Sequence, residues 1–137
     1  MLIAEYSLIT PISPAAIWRY YQDVSLWPKW DHGLEEVRLN GPFQTGSSGT
    51  LKPVGGPLVH YKISSVIPNQ YFQDISKLPL CRIIFTHTLT QYEGKTQLTH
   101  RIDMVGFLSP FFAFFIGRGI KKRPPHNHGN LSQAGRA

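Results

Sequence analysis

Two histidines, His87 and His100, are the residues of this chain best placed to do chemistry. Each sits in a stretch that alternates with period two. Over 80–91 the apolar set is Cys81, Ile83, Phe85 and Leu89, with His87 in phase; over 96–105 it is Leu98, Ile102 and Met104, with His100 in phase. If Glu93-Gly94 closes a two-residue turn, Tyr92 faces Lys95, and counting back places His87 opposite His100. A slip of one residue would turn one apolar set to solvent, so the pattern resists it. The spacing therefore predicts two imidazoles side by side on a buried face.

Such a pair has three readings. It could be structural, hydrogen-bonded internally, to Tyr61, to threonines or to trapped water. It could be a polar anchor that orients a carbonyl or hydroxyl in a ligand cavity. It could also move protons near neutral pH, although no recognisable nucleophile accompanies it. A metal would want a third ligand, and no cysteine or carboxylate is expected nearby in the same phase, so neither a metal nor any other cofactor is expected. His126 and His128, one residue apart beside Pro124-Pro125, read as a solvent-exposed pair. Trp18 and Trp27 read as packing residues, and Trp30 as the tryptophan that reaches a pocket mouth. Asp23 and Asp31 read as local caps.

The elements that must position these residues follow from periodicity and breakers. Leu2, Ala4, Tyr6 and Leu8 alternate with polar residues, giving a first strand that Pro11 stops. Ser13 is an N-cap with Pro14 at the first helical position, opening a short helix that buries Ile17, Trp18 and Tyr21. A second short helix is expected across Val24–Trp30. Strands then follow at 34–39, 48–52, 58–67 and 71–76, with Val59, Tyr61, Ile63 and Ile67 on one face, before the two longer histidine-bearing strands. After them, Leu108, Phe111, Phe112, Phe115, Ile116 and Ile120 recur at helical spacing and form one broad stripe. Phe114 lies off that stripe; if exposed beside Lys121-Lys122-Arg123, it would meet a membrane or a second copy in a homodimer, with core packing the preferred reading.

The chain of 137 residues is 42% hydrophobic and 16% charged, which excludes intrinsic disorder and suits one domain over 1–137. Residues 124–137 form its basic C-terminal end. A single cysteine excludes an internal disulfide and a Cys-rich zinc module. The net charge of +6 is uneven: residues 1–103 hold nine of the 14 Lys and Arg with all eight acids, so the excess reads as a tail feature and no nucleic-acid partner is expected. Secretory and membrane-spanning patterns are absent, so a cytoplasmic protein is expected.

Several ordered pieces resemble one family. Pro14, Ile17-Trp18, Asp23, Trp27-Pro28 and Trp30-Asp31 look like the N-terminal signature of the START-related, Bet v 1-like superfamily, whose bacterial members are called polyketide cyclase/dehydrase-like or SRPBCC proteins. Gly41-Pro42-Phe43, Gly46 and Gly49-Thr50-Leu51 resemble its next strands. Phe85-Thr86-His87, Gly94-Lys95-Thr96, Leu98-Thr99-His100 and Gly106-Phe107-Leu108 resemble its closing hairpin and the start of its last helix. The resemblance implies an α+β helix-grip fold, with a seven-stranded antiparallel sheet wrapped round a long C-terminal helix and two short helices after strand 1. Arg123-Pro124-Pro125 and the histidines beyond depart from that pattern.

Fold alone does not set chemistry. The leading reading is a non-enzymatic module binding a small hydrophobic molecule, lipid-like or aromatic and polyketide-like, in the cavity between sheet and helix. Phe85, Ile102, Met104, Phe112 and Phe115 would supply apolar walls, Trp30 the mouth, and Tyr61, His87 and His100 the polar anchors. The alternative is a cyclase or dehydratase in which His87 or His100 moves protons. A protein-interaction module with a side-chain-filled cavity is the third reading.

Overall fold

Ser13 begins the first helix as expected: its side chain accepts a hydrogen bond from the Ala16 amide at 3.2 Å, and Pro14 takes the first helical position. The computed structural model describes residues 1–107. In order they form β1 (Leu2–Thr10), α1 (Pro14–Gln22), a 3₁₀ turn (Val24–Leu26), α2 (Trp27–Trp30), β2 (Leu34–Asn40), β3 (Ser48–Pro53), β4 (Val59–Ile67), β5 (Tyr71–Leu78), β6 (Cys81–Tyr92) and β7 (Lys95–Gly106). The expected second helix is thus two pieces, because Pro28 lacks the N–H that a continuous helix would need but is tolerated in a first turn. Asp23 caps the 3₁₀ turn through the Ser25 amide, and Asp31 accepts from the Gly33 amide. The expectation of a long C-terminal helix carrying Phe111, Phe112, Phe114 and Phe115, and that of an exposed His126/His128 pair, fall outside the described residues.

The seven strands form one antiparallel sheet in the order β1-β7-β6-β5-β4-β3-β2. Its inner face carries the core, and α1 and α2 pack on it through rings. Trp18 and Tyr21 meet Phe72 edge-on, while Trp27 stacks on Phe72 at 5.6 Å. Two indole N–H groups tie the helices together: Trp27 Nε1 donates to the Tyr21 carbonyl at 2.8 Å and Trp30 Nε1 to the Tyr20 carbonyl at 3.0 Å. All three tryptophans are buried.

Two register shifts correct the expected faces. In β4 a shift between Ile63 and Ser65 reverses the phase, so Val66 packs against the core and Ile67 is exposed. Ser64 Oγ holds the irregularity by donating to Gln73. In β1 a shift between Leu2 and Ala4 exposes Leu2 and sends Ile3 to the core.

Candidate functional site

The turn at Glu93-Gly94 has both residues at positive φ, 50° and 79°, as a two-residue hairpin turn of the primed type requires. Tyr92 accordingly pairs with Lys95 and His87 with His100. The same register runs on through neighbouring strands, because His100 faces Tyr6 of β1 and His87 faces Phe72 of β5. A row Tyr6–His100–His87–Phe72 therefore crosses four strands. A parallel row holds Ile102, Phe85 and Asp74, and a third holds Met104, Ile83, Ser76 and Tyr61.

The imidazoles meet edge to face with centroids 4.4 Å apart. His87 lies flat on Phe72 at 4.3 Å, and its Nε2 stands 4.0 Å from Asp74 Oδ2. His100 is held at both ring nitrogens: Nδ1 is 3.1 Å from the Tyr6 hydroxyl and Nε2 is 3.1 Å from the Tyr21 hydroxyl. A neutral imidazole has one N–H and one lone pair, so in that state one phenol donates to His100 and the other accepts from it. Tyr21 is fully buried; that burial, with Tyr6 beside it, pushes its hydroxyl far above the ordinary value of 10.0. It stays a neutral phenol at any working pH. Trp30 closes the cluster from α2, its ring 5.7 Å from His87 and 5.9 Å from His100.

Trp30, Tyr61, Phe85, His87, His100, Ile102 and Met104 all prove buried. Tyr61 is on the row that holds Ser76, and its hydroxyl donates to the Arg38 carbonyl at 2.9 Å. Trp30 presents a ring, because its N–H is already given to Tyr20. Phe112 and Phe115 lie outside the described residues. The expectation that no carboxylate shares the histidines' phase is corrected: Asp74 is fully buried on the same face. Among the described residues no three His, Cys, Asp or Glu side chains converge to hold a metal ion.

Sequence reasoning missed Tyr6, Tyr21, Asp74 and Ser76 as site residues. The alternation Phe72-Asp74-Ser76-Leu78 carried the signal for two of them, since an inward Phe72 forces Asp74 and Ser76 inward too. Tyr6 needed the non-local pairing of β1 with β7. Together these groups place a hydrogen-bonding cluster in an otherwise apolar face, able to orient a ligand oxygen or pass a proton between imidazole and phenol.

The fold is that of the Bet v 1-like superfamily. The structure of Ara h 8.0201 aligns over 97% of this chain and 96% of its own with a TM-score of 0.67 at 13% identity. A protein from Mesorhizobium loti aligns over 96% of both chains with a TM-score of 0.66 at 20% identity. DynU16, from the dynemicin biosynthetic locus, aligns over 95% of this chain and 45% of its own with a TM-score of 0.66 at 17% identity. At these identities the likeness concerns the fold. The sequence profile described as polyketide cyclase/dehydrase and lipid transport matches residues 1–124, and the chain belongs to that family within the SRPBCC group. No curated protein matches the chain by sequence. Among the described residues no helix is long and apolar enough to cross a membrane.

Proposed function

We propose that this protein binds a small hydrophobic molecule, lipid-like or aromatic and polyketide-like, between the inner face of the sheet and a C-terminal helix beginning near Leu108. The observation that carries this reading is the polar cluster of Tyr6, Tyr21, Asp74, His87 and His100 set in an apolar face. Burying such groups is costly, and a few polar groups among apolar walls is the pattern by which small-molecule sites fix orientation. On this reading Phe85, Ile102 and Met104 form walls with Phe112 and Phe115 from the C-terminal segment. His87 anchors a ligand oxygen, His100 acts beside it through the Tyr6 and Tyr21 hydroxyls that hold its ring, Tyr61 anchors from the far row, and Trp30 lines the mouth. The domain is the whole of 1–137, working in the cytoplasm without a cofactor.

Native mass spectrometry of freshly purified protein, followed by organic extraction, tests it. A stoichiometric small hydrophobic adduct, lost from the His87→Ala/His100→Ala double variant, is the expected result. A clean apo mass together with no uptake of fatty acids or aromatic polyketide probes overturns it. The distance of 4.0 Å between Asp74 and His87 favours a second reading, a cyclase or dehydratase in which the carboxylate steadies a proton-carrying imidazole. That reading requires pH-dependent turnover that vanishes in each His→Ala variant while ligand affinity persists.

A further inference from the structure

The outer face of the sheet gathers bases that linear charge counting disperses. His60, Lys62, Lys77 and Arg82, from β4, β5 and β6, surround a depression of about 560 Å³ floored by Ile75 and flanked by Ser48 and Thr50. The cross-strand registers place His60 against Lys77 and Lys77 against Arg82. Acids on neighbouring outer positions are already engaged: Glu36 by Arg38, Glu35 by Lys52, and Asp103 by Arg101. Among the described residues Lys62, Lys77 and Arg82 have no carboxylate within ion-pair distance.

A second depression shares Lys77 and Arg82 and is rimmed by Leu80 and Val105. Leu80 is 67% exposed and Val105 55%; Leu58, which leads into β4 at the same end of the sheet, is 60% exposed. We propose that this end of the outer face docks on an anionic lipid surface, with Lys62, Lys77 and Arg82 among the headgroups and Leu58, Leu80 and Val105 at the acyl boundary. Bases alone would suit any polyanion. Apolar side chains contiguous with them gain only where the partner is also apolar just beneath its charge, as a bilayer is. Nucleic acid would leave those three side chains in water, and Tyr61 below the bases is buried and tied to Arg38, so it offers no ring for stacking. The docking stands independently of the inner-face reading.

Co-sedimentation of the full chain with phosphatidylserine/phosphatidylcholine vesicles, against phosphatidylcholine alone, tests it. The expected result is binding to the anionic vesicles that weakens with added salt. Each base near such a surface contributes roughly fivefold, so Lys62→Glu/Lys77→Glu/Arg82→Glu should lower partitioning by at least about 100-fold. Leu58→Ser/Leu80→Ser should also weaken it, whereas Lys121→Glu/Lys122→Glu/Arg123→Glu, on the basic tail, should largely preserve it. Absence of binding, equal binding to neutral vesicles, or loss on tail reversal alone overturns the proposal. Binding of duplex DNA through the same three bases, without vesicle binding, overturns it in favour of a nucleic-acid partner. Should the triple variant fail to show a thermal transition, the salt response of the unmodified chain and the Leu58→Ser/Leu80→Ser result decide.

Discussion

Tyr21→Phe isolates one buried oxygen. The substitution keeps the ring packed among Trp18, Trp30 and Phe72 and removes the hydroxyl that meets His100 Nε2 at 3.1 Å. At neutral pH the loss of that bond, with a buried partner left behind, should cost about 1–2 kcal/mol. Alkali should shrink the gap. The folded protein holds the Tyr21 hydroxyl far above 10.0, so the folded state prefers the protonated phenol. Its stabilisation is complete below the unfolded value and declines as pH rises past it, because only the unfolded chain releases that proton. At one unit above, ionisation of the unfolded phenol is worth about 1.4 kcal/mol. The variant has no such phenol, and the tyrosines away from His100 affect both proteins alike. Urea unfolding followed by tryptophan fluorescence should therefore give a constant difference between pH 7 and 9 and near-equality around pH 11. A difference that stays unchanged at pH 11 would show that Tyr21 ionises in place, and the account of its burial would be wrong.

Three further substitutions probe separate parts of the frame. Gly49→Ala would put a Cβ 2.0 Å from the Arg38 carbonyl oxygen, so β2 and β3 must separate; a loss of about 3 kcal/mol or more and a Tm drop on the order of 10 °C are expected, and an unchanged melt contradicts the close approach. Ser76 Oγ is buried without a hydrogen bond among the described residues, so Ser76→Ala should be neutral or stabilising by up to about 1 kcal/mol, measured by urea unfolding. A clear loss of stability would mean the hydroxyl has a partner. Ser13→Ala removes the cap of α1 and should cost about 1 kcal/mol in the same assay, with no effect on ligand uptake.

How far each feature could be read from the chain depended on how local its cause was. The His87–His100 pairing was legible because a two-residue turn and a period of two fix it within one hairpin. The first helix was legible because Ser13 and Pro14 act on their immediate neighbours. Ile67 was misassigned because a single extra residue in β4 reverses the phase, and nothing in the alternation of that strand announces where it falls. Asp74 went unread because a carboxylate at an inward position contradicts the rule that charges face water, and only the phase of Phe72 argues otherwise. The outer bases vanished in a near-neutral count because the acids that balance them are spent on other partners.

The pairing of the first strand with the last has a consequence for the order of assembly during synthesis. β1 leaves the ribosome earliest, yet its partner β7 follows after every other strand of the sheet. Until then β1 lacks the one strand it pairs with among the described residues, and α1 and α2 cover a sheet that is not yet complete. Tyr6 and Tyr21 meet His100 only when that long loop closes, a slow step for a topology dominated by distant contacts. The hydrogen-bonding cluster is thus completed by the last of the described strands to arrive. A nascent chain stalled before Thr96 would hold β6 with His87 in place and the seat beside it empty.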